Sequence, residues 1–261
     1  MPNQVICGDC VEVMESLESE CARLIVADPP YFNVLRDADW DTQWRTEEEY
    51  LKWTATWIRS AMRLLLPGGL LYCFGQVGKR EHVFLHLMSR ATTEYSFHDL
   101  VIWDRTVGYN DRRDSFTPCY EMILVLRKEG ATPLFDKDAI REPYDAQTVS
   151  RYSRDRRYKN MEARLIHLRK GKYATNLWRI PSLKGSGHEK VGHPSQKPLS
   201  LIERIVRSSS APNDLVIDPF LGSGTTAVVA QTVNRRWLGI EQCSSYVEMS
   251  NNRLGLHAEI Q

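Results

Sequence analysis

Leu215-Val-Ile-Asp-Pro-Phe-Leu-Gly-Ser-Gly-Thr-Thr226 is the stretch whose reading decides the fold. Leu215–Ile217 is an apolar run of strand length, and Asp218 closes it. Gly222 and Gly224 then give a turn whose backbone can approach a ligand closely, before a helix that opens at Thr225. Strand, glycine-bearing turn and helix in succession are the unit of an open α/β sheet, where ligands bind beyond the carboxyl ends of the strands. Further on, Trp237–Ile240 gives another strand, ending in Glu241, 23 residues after Asp218. An acidic residue about 20 residues after a glycine loop commonly holds ribose hydroxyls. The full G-x-G-x-x-G is absent, because position 227 is Ala, and the loop lacks a P-loop lysine. By itself the G-x-G is equally a strand-to-helix turn; Glu241 shifts the reading toward a nucleoside ligand without a pyrophosphate.

The same alternation runs along most of the chain. Short apolar runs predict strands at Val5–Cys7, Arg23–Ala27, Leu70–Phe74, Leu100–Trp103, Met122–Leu126, Leu215–Ile217 and Trp237–Ile240. Helical patterns lie at Cys10–Leu17, Thr46–Leu66, Arg80–Ala91, Leu199–Ser208, Thr225–Thr232 and Ser245–Leu254. Thr46 with Glu49 forms a capping box, and Pro67-Gly68-Gly69 is expected to stop that helix. From Arg127 to Gly192 the alternation fails: the segment is polar, basic and tyrosine-rich, and too long for an ordinary loop. It reads as an insertion that meets a partner, with Trp178 and Ile180 docking its end on a core.

Val26-Ala-Asp-Pro-Pro-Tyr-Phe32 is the second strand end with an unusual exit. Pro29 and Pro30 fix φ and restrict the residues before them. One reading is a stiffened turn with Tyr31 packed as core. The other is a site: Asp28 and the Pro29 carbonyl accept hydrogen bonds from an amino group, and Tyr31 offers a flat face to a base. Together they suit an exocyclic amine on a planar ring.

Composition sets the frame. The chain has 261 residues, 42% hydrophobic and 26% charged, enough for one large α/β domain or two small ones. No apolar run nears the ~20 residues of a membrane span, and the N-terminus lacks a signal-peptide series, so a cytoplasmic protein without membrane contact is expected. Net charge is only +1, but nine basic residues fall between Arg151 and Lys172 against Asp155 and Glu162. The acidic stretch Asp37 to Glu49 compensates. Cysteines 7, 10, 21, 73, 119 and 243 read as reduced, mostly buried thiols, since Cys7-Gly-Asp-Cys10 has no second pair or nearby histidine. No metal is expected: His82 and His86 lack a third ligand, and Asp37, Asp39 and Asp41 lack the glycine and distal glutamate of a calcium loop. Trp53 and Trp57, at helical spacing, read as core.

Asp28–Tyr31 and Phe220–Gly224 together resemble the two hallmarks of the DNA amino-methyltransferases, D/N/S-P-P-Y/F/W and F-x-G-x-G. Most of the chain is similar. "VICGDCVEVMESL" resembles the family's leading segment, "LLLPGGLLYCFG" and "VIWDR" its next strands, and "HPSQKPLSLIERIV" the segment closing over the methionine end of the cofactor. "FTPCYEMILVLRK" resembles the last hairpin, with Tyr120 where the family usually has His before Glu. The tetrapeptide precedes the glycine loop, the order of the β group. The resemblance implies an α/β, Rossmann-like fold of the S-adenosyl-L-methionine (AdoMet)-dependent methyltransferases. Its sheet would be mostly parallel and seven-stranded, with one antiparallel strand and helices on both faces.

It further implies a catalytic half over 1–128, a basic target-recognition insertion over 129–192 and an AdoMet-binding half over 193–261. Asp28, Pro29, Pro30 and Tyr31 would be catalytic. Asp9, Cys10, Asp28, Lys197, Pro198, Asp218, Phe220, Gly222, Ser223, Gly224, Thr225 and Glu241 would hold AdoMet. Arg151, Arg154, Arg156, Arg157 and Lys159 would contact DNA. The implied reaction is methyl transfer to adenine N6 in double-stranded DNA after base flipping, in restriction–modification. Asp in the first motif position favours adenine, where Ser is common in cytosine-N4 enzymes. Cytosine N4 and an inactive AdoMet- or DNA-binding regulator remain as alternatives, and the family's tendency to dimerise leaves a homodimer open.

Overall fold

Each apolar run becomes a strand, and the residues that follow cap or enter a helix. The computed structural model describes residues 3–258 apart from 36–38, 77–81, 110–112, 156, 158–159, 184 and 186. In chain order the elements are β1 (Gln4–Cys7), α1 (Cys10–Ser16), β2 (Ala22–Ala27), the one-turn α2 (Asp39–Thr42), α3 (Glu47–Leu64) and β3 (Leu65–Gly75). Then come α4 (Val83–Glu94), β4 (Ser96–Asp104), β5 (Tyr120–Arg127), α5 (Ala146–Ser153), α6 (Met161–Lys170) and β6 (Leu177–Arg179). The chain finishes with α7 (Leu199–Ser209), β7 (Leu215–Asp218), α8 (Thr225–Thr232), β8 (Arg236–Glu241) and α9 (Ser244–Ala258). Side-chain caps start several helices: Asp9 accepts from the N–H groups of Val11 and Glu12, and Thr46, Asp145 and Asn160 each accept from the N–H three residues on.

Among the described residues the strands form one sheet in the order β1-β8-β7-β2-β3-β5-β4-β6. Only β5 runs antiparallel to its neighbours. From the β7/β2 boundary the chain leaves in opposite directions, through α8 to β8 and through α3 to β3. That reversal is the topological switch point, where open α/β sheets place their ligands. Side chains alternate with period two: in β2, Ile25 and Ala27 face the core under α1, α3 and α4, while Leu24 and Val26 face the one under α7 and α8. Both faces are covered, which is why the central strands are apolar throughout.

Several expectations shift in detail. The sheet has eight described strands because the end of the insertion supplies β6, paired in parallel with β4 through Trp103↔Trp178. Trp178 and Ile180 are buried in the second core, as expected, and the Trp103 indole N–H donates to the Ile180 carbonyl at 2.7 Å. The rest of the insertion contains α5 and α6, the first only eight residues long with none of them buried, the second barely amphipathic, so both are hard to distinguish from loop. Pro67-Gly68-Gly69 does not stop α3. That helix ends at Leu64, where extended backbone begins, and the tripeptide interrupts β3, whose pairing jumps from Ala22↔Leu65 to Leu24↔Leu70. Gly68 is left-handed (φ 75°), and a Cβ there would lie 2.8 Å from the Thr132 carbonyl oxygen. The helix expected over Arg80–Ala91 runs from Val83 to Glu94; residues 80 and 81 lie outside the described set. Of the six free thiols only Cys10 and Cys73 are buried, because Cys7 ends an edge strand and Cys119 precedes β5 at the rim. No described helix is long and apolar enough to cross a membrane.

Trp57 on α3 is fully buried and meets the Phe220 ring edge-on at 5.2 Å. Trp57→Ala should lower unfolding free energy by about 3–5 kcal/mol, read as a lower urea midpoint. A cost below about 1 kcal/mol would mean that this helix face does not anchor the core.

Candidate active site

Parallel pairing of β2 with β7, through Leu24↔Val216 and Ile25↔Ile217, brings the two motif turns to one rim. Asp28, Pro29, Pro30 and Tyr31 line a cleft of about 1670 Å³ there, and so do Asp218, Phe220, Gly222, Ser223 and Thr225. Asp9, Cys10, Lys197 and Glu241 line the same cleft. A pocket for one small ligand is usually ~300–1,000 Å³, so this one has room for two. Pro198 and Gly224 sit behind the wall: Pro198 precedes the first turn of α7, and Gly224 (φ 78°) turns into α8 against Ser250.

The Asp28–Tyr31 turn is held by groups to which the sequence assigns no such role. Asp41 is 1% exposed, and its carboxylate accepts from the backbone N–H groups of Tyr31, Val34 and Leu35. Burial raises its pKa, and those backbone donors partly offset the rise. The Tyr50 hydroxyl donates to the Pro30 carbonyl at 2.7 Å. Phe32 and Asn33 are both left-handed (φ 60°), a strained conformation for residues with side chains, and Asp41 clamps the chain on either side of the bend. Asp41, whose spacing already argues against a calcium loop, is a loop anchor.

Four charged side chains meet at this turn. Lys197 Nζ lies 2.6 Å from Asp28 Oδ2 and 3.6 Å from Glu121 Oε2. Arg105 Nη1 lies 3.0 Å from Glu121 Oε1 and its guanidinium sits 4.6 Å from the Tyr109 ring centre. Tyr31 donates its hydroxyl hydrogen to Asp28 Oδ1 at 2.5 Å, and its oxygen is 3.2 Å from Glu121 Oε2. Burial opposes the charge on Lys197, but Asp28 and Glu121 outweigh it and its pKa rises. Burial and then the same two carboxylates push the Tyr31 phenol well above its usual value.

The glycine loop is braced from two sides. Glu241 accepts from the N–H groups of Gly222 (2.9 Å) and Cys243 (2.8 Å). From α9, buried Arg253 donates to the Ser223 carbonyl and the Thr225 hydroxyl, both at 3.0 Å. Gly222 is left-handed (φ 51°), and a Cβ would lie 3.0 Å from His193 Nε2. His193 packs between Trp40 and Tyr246, with ring centres 6.4 and 4.4 Å away. Burial pushes its pKa down to about 4, so it is neutral near pH 7. The Ser195 N–H donates to Nδ1, which puts the ring proton on Nε2, facing the glycine loop. Asp218 accepts from the Phe220 N–H, yet burial raises its carboxyl to about 7.

The expected DNA-contacting residues lie elsewhere. Arg151 and Arg154 are exposed at the end of α5, Arg157 chelates Asp155, and none of the three lines the cleft. Arg156 and Lys159 lie outside the described residues. Sequence reasoning missed Glu121, Arg105, Asp41, His193 and Arg253. Glu121 and His193 sat in quoted segments, "CYEM" and "HPSQKP", but their roles come from contacts across the sheet.

The architecture recurs in solved structures. TTHA0409 of Thermus thermophilus, in complex with S-adenosyl-L-methionine, superposes with a TM-score of 0.66 and 25% identity, covering 98% of this chain and 94% of that one. The cytosine-N4-specific PvuII DNA methyltransferase shares the fold at a TM-score of 0.71 and 21% identity, covering 97% and 86%. The fold is thus that of the AdoMet-dependent DNA methyltransferases. The DNA methylase family model matches residues 22–252. The Type II methyltransferase M1.MboII of Moraxella bovis is 31% identical over 254 residues, 95% of each chain. The DNA adenine methyltransferase YhdJ of Escherichia coli (strain K12) is 30% identical over 250 residues, 96% of this chain and 82% of that one. The chain belongs to the DNA methylase family and is a DNA methyltransferase of the N6/N4 type.

The raised Asp218 pKa has a definite sign. The native state keeps this proton up to about pH 7, whereas the unfolded carboxyl loses it near 3.8, so the wild type loses stability as pH rises between those values. Asp218→Asn keeps an acceptor but cannot ionise. Its urea midpoint, relative to wild type, should be more favourable at pH 8 than at pH 5; a pH-independent difference would refute the assignment.

Proposed function

We propose that this chain transfers the methyl group of AdoMet to the exocyclic N6 of adenine in double-stranded DNA, on a base swung out of the helix. One observation carries the reading: Asp28 and the Pro29 carbonyl, fixed by one rigid turn, share a cleft with the Gly222 loop. No described residue donates a hydrogen bond to the Pro29 carbonyl, which lies beyond the end of β2. Asp28 receives Tyr31 on Oδ1, and Lys197 and the Ser195 hydroxyl on Oδ2, so Oδ1 is the oxygen that retains a second lone pair for an amino N–H.

The cleft suits AdoMet on this chain's own geometry. Gly222 leaves open a wall that a Cβ would crowd, and Glu241, though it caps two N–H groups, keeps acceptor capacity for ribose hydroxyls. Asp9, Cys10, Asp218, Phe220, Gly222, Ser223, Thr225 and Glu241 would hold the nucleoside and the turn around it. Asp28 and Lys197 would face the amino-acid end, with Pro198 and Gly224 supporting from behind. When bound, AdoMet supplies a methyl group on a sulfonium, an electrophile that is already activated.

The protein's task is then to orient the nucleophile. The adenine N6 lone pair is delocalised into the ring. Holding both N–H groups on Asp28 and the Pro29 carbonyl favours a pyramidal nitrogen, which is proximity plus preorganised electrostatics. No covalent intermediate is required. Extruding the base costs a few kcal/mol, and stacking on Tyr31, whose hydroxyl is tethered, returns about 1–3 kcal/mol. Arg151 and Arg154, exposed on α5, are suited to phosphate contacts, which position without reading sequence. The Type II relatives support a role as a modification enzyme.

Asp28→Ala should abolish methyl transfer while AdoMet affinity stays within about tenfold, with Asp28→Asn as the shape-preserving control. Equal loss of both would sink the catalytic assignment. Nucleoside analysis of methylated DNA should give N6-methyldeoxyadenosine; N4-methyldeoxycytidine would move the chain to the cytosine class, and no label in DNA would leave a regulator. Replacing Arg151 and Arg154 with Ala should flatten the slope of log affinity against log salt by about one unit for each phosphate no longer neutralised. An unchanged slope would place DNA on another surface.

A further inference from the structure

Glu121 is 5% exposed and stands at the start of the reversed strand β5, against the cleft residues Tyr31 and Lys197. Nothing in the methyl-transfer chemistry above uses it. Its surroundings are unusual for a buried carboxylate. Lys197 and Arg105 flank it at 3.6 and 3.0 Å, Tyr109 stacks on Arg105, and the Tyr31 oxygen lies 3.2 Å away. With Asp28, the cluster holds two carboxylates and two cations, so one added proton unbalances it.

The Tyr31 hydroxyl has one hydrogen and lies between two carboxylates. It donates to Asp28 Oδ1 at 2.5 Å, and rotation about its C–O bond turns the same hydrogen toward Glu121 Oε2, 3.2 Å from the oxygen. A hydroxyl between two carboxylates can pass a proton by exchange. It accepts one hydrogen on its oxygen as it releases its own to the other side.

We propose that Asp28, Tyr31 and Glu121 form a relay that removes the proton released at the target nitrogen, with Glu121 as its terminal acceptor. The inference rests on the reaction proposed above. The nitrogen lone pair forms the N–C bond, the C–S electron pair returns to sulfur, and the positive charge moves to nitrogen. The N–H bond then breaks toward Asp28. Once Asp28 is protonated, the Tyr31 hydroxyl turns its hydrogen to Glu121 Oε2 and passes it there as Asp28 gives its own proton to the Tyr31 oxygen, so tyrosine ends neutral and Asp28 is again an anion beside Lys197. Glu121 discharges to solvent beside Arg105, whose side chain is 26% exposed. Lys197 holds Asp28 ready to accept, and the relay separates the proton from the methylated amine before product leaves. Glu121 acts through Tyr31 and is a positioning residue.

The test uses the full-length chain and a duplex that the wild type methylates. Glu121→Gln should slow single-turnover methyl transfer by about 10-fold or more, with AdoMet and DNA affinities held within about threefold. Because the effect runs through Tyr31, adding Glu121→Gln to Tyr31→Phe should change the rate by less than about twofold. Independent, multiplying losses would mean that Glu121 acts through Lys197 or the fold alone, and the relay would fall. A wild-type rate in Glu121→Gln, or a loss confined to AdoMet affinity, would also overturn it. A second readout needs no turnover: with fluorotyrosine at position 31 in the ligand-free protein, fluorine NMR should show Glu121→Gln lowering the pH at which the phenol titrates. An unmoved titration would remove the Tyr31–Glu121 link. No methyl product from the wild type would defeat the underlying activity and the relay with it, whereas an active wild type with an indifferent Glu121→Gln would defeat the relay alone.

Discussion

The paired registers Leu24↔Val216 and Ile25↔Ile217 are the constraint on which the site depends. They join strands almost two hundred residues apart in sequence and bring the turns at Asp28 and Asp218 to one rim. The register is protected by burial. Leu24, Ile25, Val216 and Ile217 are all fully buried, so a one-residue slip would move each to the wrong face of a sheet covered on both sides. Helix α3 then fixes what the pairing brings together. Tyr50, Trp53 and Trp57 share one face at helical spacing; Tyr50 holds the Pro30 carbonyl, and the two tryptophans pack on Phe220. One helix face thus touches both motifs, and core packing sets the distance between them.

The site itself consists of locally unfavourable devices. Phe32 and Asn33 in left-handed backbone cost about 1–3 kcal/mol each. Asp41 is buried to hold that backbone, and burial raises its pKa. Asp28, Glu121, Lys197 and Arg105 sit where replacement by well-packed apolar side chains would often be neutral or stabilising. A cluster of that kind is poor evidence for stability and better evidence for chemistry. It fixes a carboxylate, a phenol and an ammonium within hydrogen-bonding reach before any ligand arrives. Asp218, with its raised pKa, adds a further buried acid to the same wall.

The fold was largely legible because its signals are local: period-two apolar runs, N-cap residues at Thr46 and Asp9, and two strand ends with unusual exits. The two motifs were legible for the same reason. The missing parts are of two kinds. Pro67-Gly68-Gly69 looked like a helix stop because the tripeptide favours a turn in any context, and only pairing with β2 shows that it lies inside a strand. Glu121, Arg105, Arg253 and His193 gain their roles from contacts across the sheet or between distant helices. Arg253 meets Ser223 and Thr225, and Glu121 meets Tyr31, 90 residues away. Single-sequence spacing carries no trace of such pairs.

Under the proposed reading, chemistry and DNA engagement would use different parts of this chain. The cleft is lined by strand ends and by turns tied to the core, and Arg151, Arg154 and Arg157 do not reach it. Arg157 is occupied by Asp155, which leaves Arg151 and Arg154 as the more available cations at the end of α5. Phosphate attraction acts over about a Debye length, so those residues need not be held with the accuracy that methyl transfer requires. Methyl transfer would require the amino group to be placed far more accurately, and under the proposed reading that demand would fall on Asp28, Pro29 and the helix behind them. A basic α5–α6 pair away from the cleft would let affinity for DNA vary without disturbing the reacting geometry. Net charge near zero fits the same arrangement, because a local patch can attract phosphate while the acidic stretch Asp37 to Glu49 keeps the whole molecule from binding polyanions indiscriminately.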